Sequence, residues 1–312
     1  MSLSAVDTKQ RLRGVSVGLL IPFEESGKIL YEQLAANAKE LYARGVRSFL
    51  STANISEYHS LSRRERVDVA DACVNSLPND ACVLAGVGGS TGDARELIYS
   101  YDDIGVDGMM IMPPDHTYVH EQGLIEYYRK LGAVTGTPLV PYIRGFDPSV
   151  EFLAELTRLD DVVAIKYAID DVVKLGAAVE AGADDVVWVN GMAEPMAVST
   201  WAEGIEGFSA GVSNFRPEVG LALYEALANE NWARARELRN VCLPFQRFRT
   251  ETGQNNTIPE AVSVPAVKKG LELAGLHGGA VREPIQQLSP AEEARAEELY
   301  EQLDDDINRV LS

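Results

Sequence analysis

The chain has 312 residues, 46% of them hydrophobic and 24% charged, with 47 acidic against 28 basic side chains and a net charge of −19. That length supports one large hydrophobic core or two modest ones. The acidic excess argues against nucleic acid and anionic membrane as partners, because both need a basic footprint.

The N-terminal stretch "MSLSAVDTKQRLRG" lacks the apolar middle of a signal peptide, and no apolar run approaches the roughly 18 to 20 residues that cross a bilayer. Cys73, Cys82 and Cys242 are odd in number and have no metal-ligand spacing. A cytoplasmic protein is therefore predicted, with each cysteine a small core residue rather than a nucleophile.

Apolar, β-branched runs recur about every 25 residues, at 15–21, 47–50, 82–87, 107–112, 138–142, 162–166, 185–190 and 206–211. Stretches of helical period lie between them, such as "YEQLAANAKELYARG", "RRERVDVADACVNSL" and "EQGLIEYYRKLGAVTG". Runs that are apolar throughout suit parallel strands covered on both faces. Eight such units predict an α/β protein, a (β/α)8 TIM barrel over residues 1–230. From about residue 230 the strand signal stops, and "NWARARELRNVCLPFQRF", "VPAVKKGLELAGL" and "SPAEEARAEELYEQLDDDINRVL" read as amphipathic helices. They predict a C-terminal helical region, 231–312, packed on the barrel.

Lys166 interrupts the sixth run, "VVAIKYA". At the end of a barrel strand it stands at the C-terminal mouth, where barrel enzymes place their chemistry. Held against apolar neighbours such as Val163 and Ile165, the amine loses hydration and its pKa falls, leaving a lone pair that attacks a ketone to give a Schiff base. The alternative is a lysine that snorkels from a strand end or pairs with a carboxylate. Tyr142 ends the preceding run, "PLVPY", and would stand beside Lys166 at the same rim, where a phenol can carry protons. The alternative for Tyr142 is an aromatic that only packs. His59 and His120 are candidate acids or bases, although loop histidines are commonly solvated.

The chain resembles the dihydrodipicolinate synthase and N-acetylneuraminate lyase family of class I, Schiff-base lyases. The resemblance runs through "GLLIPFEESGKI", "SEYHSLSRRERVDV", "VLAGVGGSTGDARELI", "MPPDHTYVHEQGLIEYY", "PLVPY", "VVAIKYA" and "GLHGGAVREPIQQLSPAEEA", in order and over nearly the whole length. It implies a homodimer or homotetramer, with Lys166 as the imine-forming lysine and Tyr142 as the proton relay. In the family the loop after the second strand reads Gly-Thr-Thr-Gly-Glu and holds the keto acid's carboxylate. Here it reads Ala53, Asn54, Ile55, Ser56, Glu57. Asn54 and Ser56 offer donors, Ile55 cannot relay a proton, and Glu57 is expected to orient the loop. The tyrosine exchanged between family protomers aligns with His116, with Tyr118 close by. "YIRG" and "EYHSL" are more similar to the subgroup that dehydrates 5-dehydro-4-deoxyglucarate.

Arg144 is then the natural clamp for a substrate carboxylate, a surface ion pair with Asp147 or Glu151 being its alternative. Gly191 aligns with a family glycine that lets a ligand approach the backbone, and Ser209 and Ala210 line the same mouth. The expectation is a Schiff-base lyase, an aldolase or dehydratase acting on a 2-keto acid such as pyruvate or a 2-keto-3-deoxy sugar acid. It needs no metal or organic cofactor, because the imine is the electron sink. Two alternatives stand beside it. One is a synthase condensing pyruvate with aspartate semialdehyde; the other is a non-catalytic keto-acid binding barrel.

Overall fold

In a computed structural model that describes residues 2–114 and 116–312, the eight apolar runs form eight short strands. They are β1 (Val15–Gly18), β2 (Ser48–Leu50), β3 (Cys82–Val87), β4 (Gly108–Ile111), β5 (Leu139–Ile143), β6 (Ala164–Tyr167), β7 (Val187–Asn190) and β8 (Gly207–Ser209). Neighbours pair in parallel and in sequence order, and Val15 of β1 pairs with Phe208 of β8 to close the barrel. Every strand residue is buried, as expected where side chains fill the barrel on one side and a helical layer covers the other.

The period of two sorts β6 cleanly. Ala164 joins an interior cluster with Val140, Met110 and Val189. Ile165 and Tyr167 point outward and pack with Leu153 and Leu175 of the helical layer and with Trp188 of β7. Lys166, between them, points inward.

The layer consists of α2 (Tyr31–Ala43), α3 (Arg63–Ser76), α4 (Thr91–Ile104), α5 (Glu121–Gly132), α6 (Val150–Leu156), α7 (Val172–Ala181), α8 (Ala193–Trp201) and α9 (Pro217–Ala228), preceded by α1 (Ala5–Leu12). Serines start several of them. Ser4, Ser62, Ser90 and Ser149 each accept a backbone N–H of the first turn, and Glu65 completes a capping box with Ser62. The short α1, which the spacing of apolar residues does not predict, plugs the barrel floor. Its Leu12 packs with Leu50, Cys82 and Leu84, and Thr8 donates to the Asp107 carbonyl at 3.0 Å.

Beyond α9 lie α10 (Trp232–Arg249), α11 (Ser263–Leu273) and α12 (Pro290–Leu311). Leu238, Phe245, Val267, Leu271 and Ile307 from these helices share one hydrophobic core with Val17 and Phe49 of the barrel and Leu223 of α9. The C-terminal helices are thus held against one side of the barrel by apolar burial. The three cysteines are free and buried, and burial pushes the Cys73 thiol up to about 12. Among the described residues no helix is long and apolar enough to cross a membrane.

Candidate active site

Tyr142 and Lys166 are partners in the β5–β6 ladder, one residue opposite the other. Both side chains turn into the C-terminal mouth of the barrel, where Lys166 is 7% exposed and Tyr142 3%. The lysine Nζ lies 4.3 Å from the centre of the tyrosine ring and 3.9 Å from Met110 Sδ. Those two groups supply the apolar contact expected of Val163 and Ile165. Ile165 fails in that role because the strand's alternation sends it to the outer face, and Val163 lies three residues nearer the strand's N-terminal end.

Burial of Nζ lowers the Lys166 pKa from the usual lysine range to about 7, with the positive charge of Arg144 adding to the effect. Tyr142 moves the other way. Burial raises its pKa, while the positive charge of nearby Arg144 and the polar Asn54 oppose that rise.

The mouth opens into a cavity of about 400 Å³ whose wall includes Lys166, Tyr142, Asn54, Ile55, Arg144, Gly191, Ser209 and Ala210. Ile55 packs so closely over β1 that a Cβ on Gly18 would lie 2.4 Å from its Cγ2. Gly191 serves packing as well as access, since a Cβ there would meet the Ala168 Cβ at 2.6 Å. Ser209 Oγ donates to the Asn190 carbonyl at 3.3 Å.

Ser56 and His116 stand elsewhere. Ser56 is fully buried and its hydroxyl accepts the Ala53 N–H at 3.1 Å, closing the turn that carries Asn54 and Ile55. A small hydroxyl residue in a tight loop is as well suited to satisfying backbone as to binding ligand, and here it does the former. His116 is exposed, with Nδ1 accepting the Tyr118 N–H at 3.0 Å, and it lines an adjoining hollow with His59 and Pro113 that shares Asn54 and Arg144 with the Lys166 cavity. His120 caps α5. Tyr118 is 86% exposed.

Glu57 holds the loop from behind. It adopts a left-handed backbone conformation, pairs with Lys268 Nζ at 2.6 Å and accepts the Arg282 N–H at 2.9 Å. The pair is buried, so the loop after β2 is fixed to α11 by a charge interaction shielded from water. Arg144 pairs with Glu260, from the segment between α10 and α11, and not with Asp147 or Glu151; Asp147 is engaged by Lys174.

The far wall comes from residues that the strand pattern did not flag: Met192 and Met196 around α8, and Gln246, Arg249, Glu260 and Ser263 from the C-terminal region. Glu194, fully buried behind them, accepts the N–H groups of Gly211 and Ser213 at 3.0 and 2.9 Å. A glutamate three residues beyond the "NG" at the end of strand seven was a usable signal, since a charge near the barrel rim requires several donors.

A model of the dihydrodipicolinate synthetase family matches residues 11–303. A probable 5-dehydro-4-deoxyglucarate dehydratase from Bacillus licheniformis is 29% identical over 280 residues, covering 86% of this chain and 87% of that protein. A 4-hydroxy-tetrahydrodipicolinate synthase from Methanothrix thermoacetophila is 26% identical over 298 residues, covering 94% and 97% of the two chains. The crystal structure of dihydrodipicolinate synthase from Oceanobacillus iheyensis superposes with a TM-score of 0.90 at 30% identity, over 97% of this chain and 100% of that one.

Proposed function

The chain belongs to the dihydrodipicolinate synthetase family, and on that premise we propose that it is a lyase whose Lys166 forms a Schiff base with the ketone of a 2-keto acid. The observation that carries this reading is the amine itself, buried against Tyr142 and Met110 with a pKa near 7. About half of it is unprotonated at neutral pH, so a lone pair is available without an external base.

The Nζ lone pair adds to the keto carbon as the carbonyl π bond breaks, and the oxygen takes up a proton from the Tyr142 phenol. The adduct's nitrogen returns a proton to the Tyr142 phenolate, which passes it to the new hydroxyl, and water leaves as the C=N bond forms. The protonated imine then draws electrons from the adjoining carbon, so that carbon can lose a proton. From the resulting enamine, either a hydroxyl at the next carbon departs, giving dehydration, or an aldehyde carbon is attacked, giving aldol addition. A phenol whose pKa is raised is protonated at the outset, so it begins as the donor, and its phenolate readily takes a proton back between steps. Arg144, beside both groups, is placed to clamp a substrate carboxylate once Glu260 releases it.

Between the two activities named for the relatives, we favour dehydration or aldol cleavage of a 2-keto-3-deoxy sugar acid over condensation of pyruvate with aspartate semialdehyde. The cavity wall at Asn54 and Ile55 supports this, because Ile55 offers no hydroxyl to pass a proton to Tyr142. We place the enzyme in the cytoplasm as a homodimer or homotetramer, for which the exposed Tyr118 and Val119 after β4 offer apolar surface. A turnover screen tests the assignment. The expected result is product from 5-dehydro-4-deoxyglucarate or a related deoxy keto acid and none above background from pyruvate with aspartate semialdehyde. The reverse outcome puts the synthase first.

A further inference from the structure

Arg249 takes no part in the chemistry at Lys166, yet it lines the same cavity from the C-terminal end of α10. Its Nη1 donates to Gln246 Oε1 at 2.6 Å and its Nη2 to Ser263 Oγ at 3.1 Å, both neutral acceptors. Its Nε is buried without a partner, and no carboxylate of the described residues lies within ion-pairing distance of the guanidinium. Burial pulls its pKa down, with the nearby charges of Glu194 and Glu260 opposing that without a direct ion pair. A desolvated cation whose hydrogen bonds go only to neutral acceptors retains the capacity to pair with an anion.

Its orientation is imposed from behind. Glu194 accepts from Gly211, Val212 and Ser213, and also from Gln246 Nε2. Because a carboxylate only accepts, Gln246 must turn its NH2 toward Glu194 and its carbonyl toward Arg249. A Cβ on Gly211 would lie 1.8 Å from Gln246 Nε2 and 2.5 Å from Arg249 Nη1, so the absence of a side chain there makes room for the relay.

Arg144 differs in two respects. It is already paired with Glu260, and it lies two residues beyond Tyr142, which faces Lys166 across the β5–β6 ladder, whereas Arg249 comes from the C-terminal end of α10. A carboxylate on Arg144 therefore sits near the reacting carbon, and one on Arg249 sits farther along the cavity.

We infer that Arg249 binds the remote carboxylate of a dicarboxylic 2-keto acid whose keto carbon is attached at Lys166. The chain is thereby a diacid-specific member of its class rather than one for monocarboxylic sugar acids. This rests on the Schiff-base reading above and narrows its substrate.

The test measures the concentration of keto acid giving half-maximal inactivation by borohydride, for pyruvate and for the diacid 2-oxoadipate, in the wild-type enzyme and in Arg249→Gln. The wild-type value for 2-oxoadipate should be at least about tenfold below that for pyruvate. In Arg249→Gln the 2-oxoadipate value should rise about tenfold or more while that for pyruvate changes less than about twofold. An equal rise for both acids, or no rise for either, overturns the inference. Should Arg249→Gln fail to fold, Arg249→Lys, which keeps the charge but loses the fork, is read instead, and an unchanged ratio overturns the inference. If neither acid permits inactivation of the wild-type enzyme, it is the Lys166 assignment itself that has failed.

Discussion

Tyr142 and Lys166 face each other across the β5–β6 ladder, with the lysine Nζ 4.3 Å from the centre of the tyrosine ring. The ring buries the amine without supplying a negative charge, so the amine gives up its proton at about pH 7 while the buried phenol keeps its own. One residue offers a lone pair at the pH where its neighbour offers a proton. Adjacent parallel strands in this register suffice to create that difference.

The rate of imine formation with pyruvate should follow the fraction of unprotonated Lys166, rising between pH 6 and 8 and levelling above, with a midpoint near the amine's pKa of about 7. The positive charge of Arg144 contributes to that depressed value, so Arg144→Gln should move the midpoint upward. Stopped-flow or quenched trapping across pH measures both profiles. A midpoint unmoved by the substitution contradicts the electrostatic role given to Arg144.

The same burial has a cost in stability with a definite sign. Unfolded Lys166 binds its proton up to the ordinary lysine pKa of 10.5, whereas the folded protein releases it near 7. The unfolded state therefore holds more protons between those values, and the penalty is greatest below pH 7 and fades as pH rises toward 10.5. At about 1.4 kcal/mol for each tenfold change in proton affinity, it reaches several kcal/mol. Lys166→Met should unfold at higher denaturant than wild type at pH 6, with the gap narrowing at pH 9. A gap that is constant or widens with pH shows that the amine is not desolvated as described.

Tyr142→Phe keeps the ring over Nζ and removes the phenol. Turnover should fall by about two to three orders of magnitude, as expected for loss of a positioned acid–base group. Borohydride capture of pyruvate should persist at a reduced rate, because the apolar contact that depresses the amine is retained. Turnover within about twofold of wild type would assign the tyrosine to packing alone.

The barrel was legible because each strand is a continuous apolar run, and a sheet covered on both faces admits little else. Lys166 and Tyr142 were legible together, since each ends one of two consecutive runs and the topology makes those neighbours. The far wall was not. Gln246, Arg249 and Glu260 lie roughly 80 to 120 residues from the strand ends that they face, on segments whose periodicity reports only that they are helices or loops. Arg144 shows the same limit: a surface pair with nearby Asp147 or Glu151 was the local alternative, but its partner, Glu260, is supplied by the C-terminal region. Ser56 was read as a ligand donor because a loop hydroxyl looks alike in sequence whether it faces the cavity or a backbone N–H.

Mass analysis of the protein after borohydride treatment in the presence of pyruvate tests the central claim most directly. A single added mass matching reduced pyruvyl-lysine, mapped to the peptide containing Lys166 and absent from Lys166→Met, is the expected result. No adduct with pyruvate or with any of a set of 2-keto acids, or an adduct on a different lysine, would contradict it.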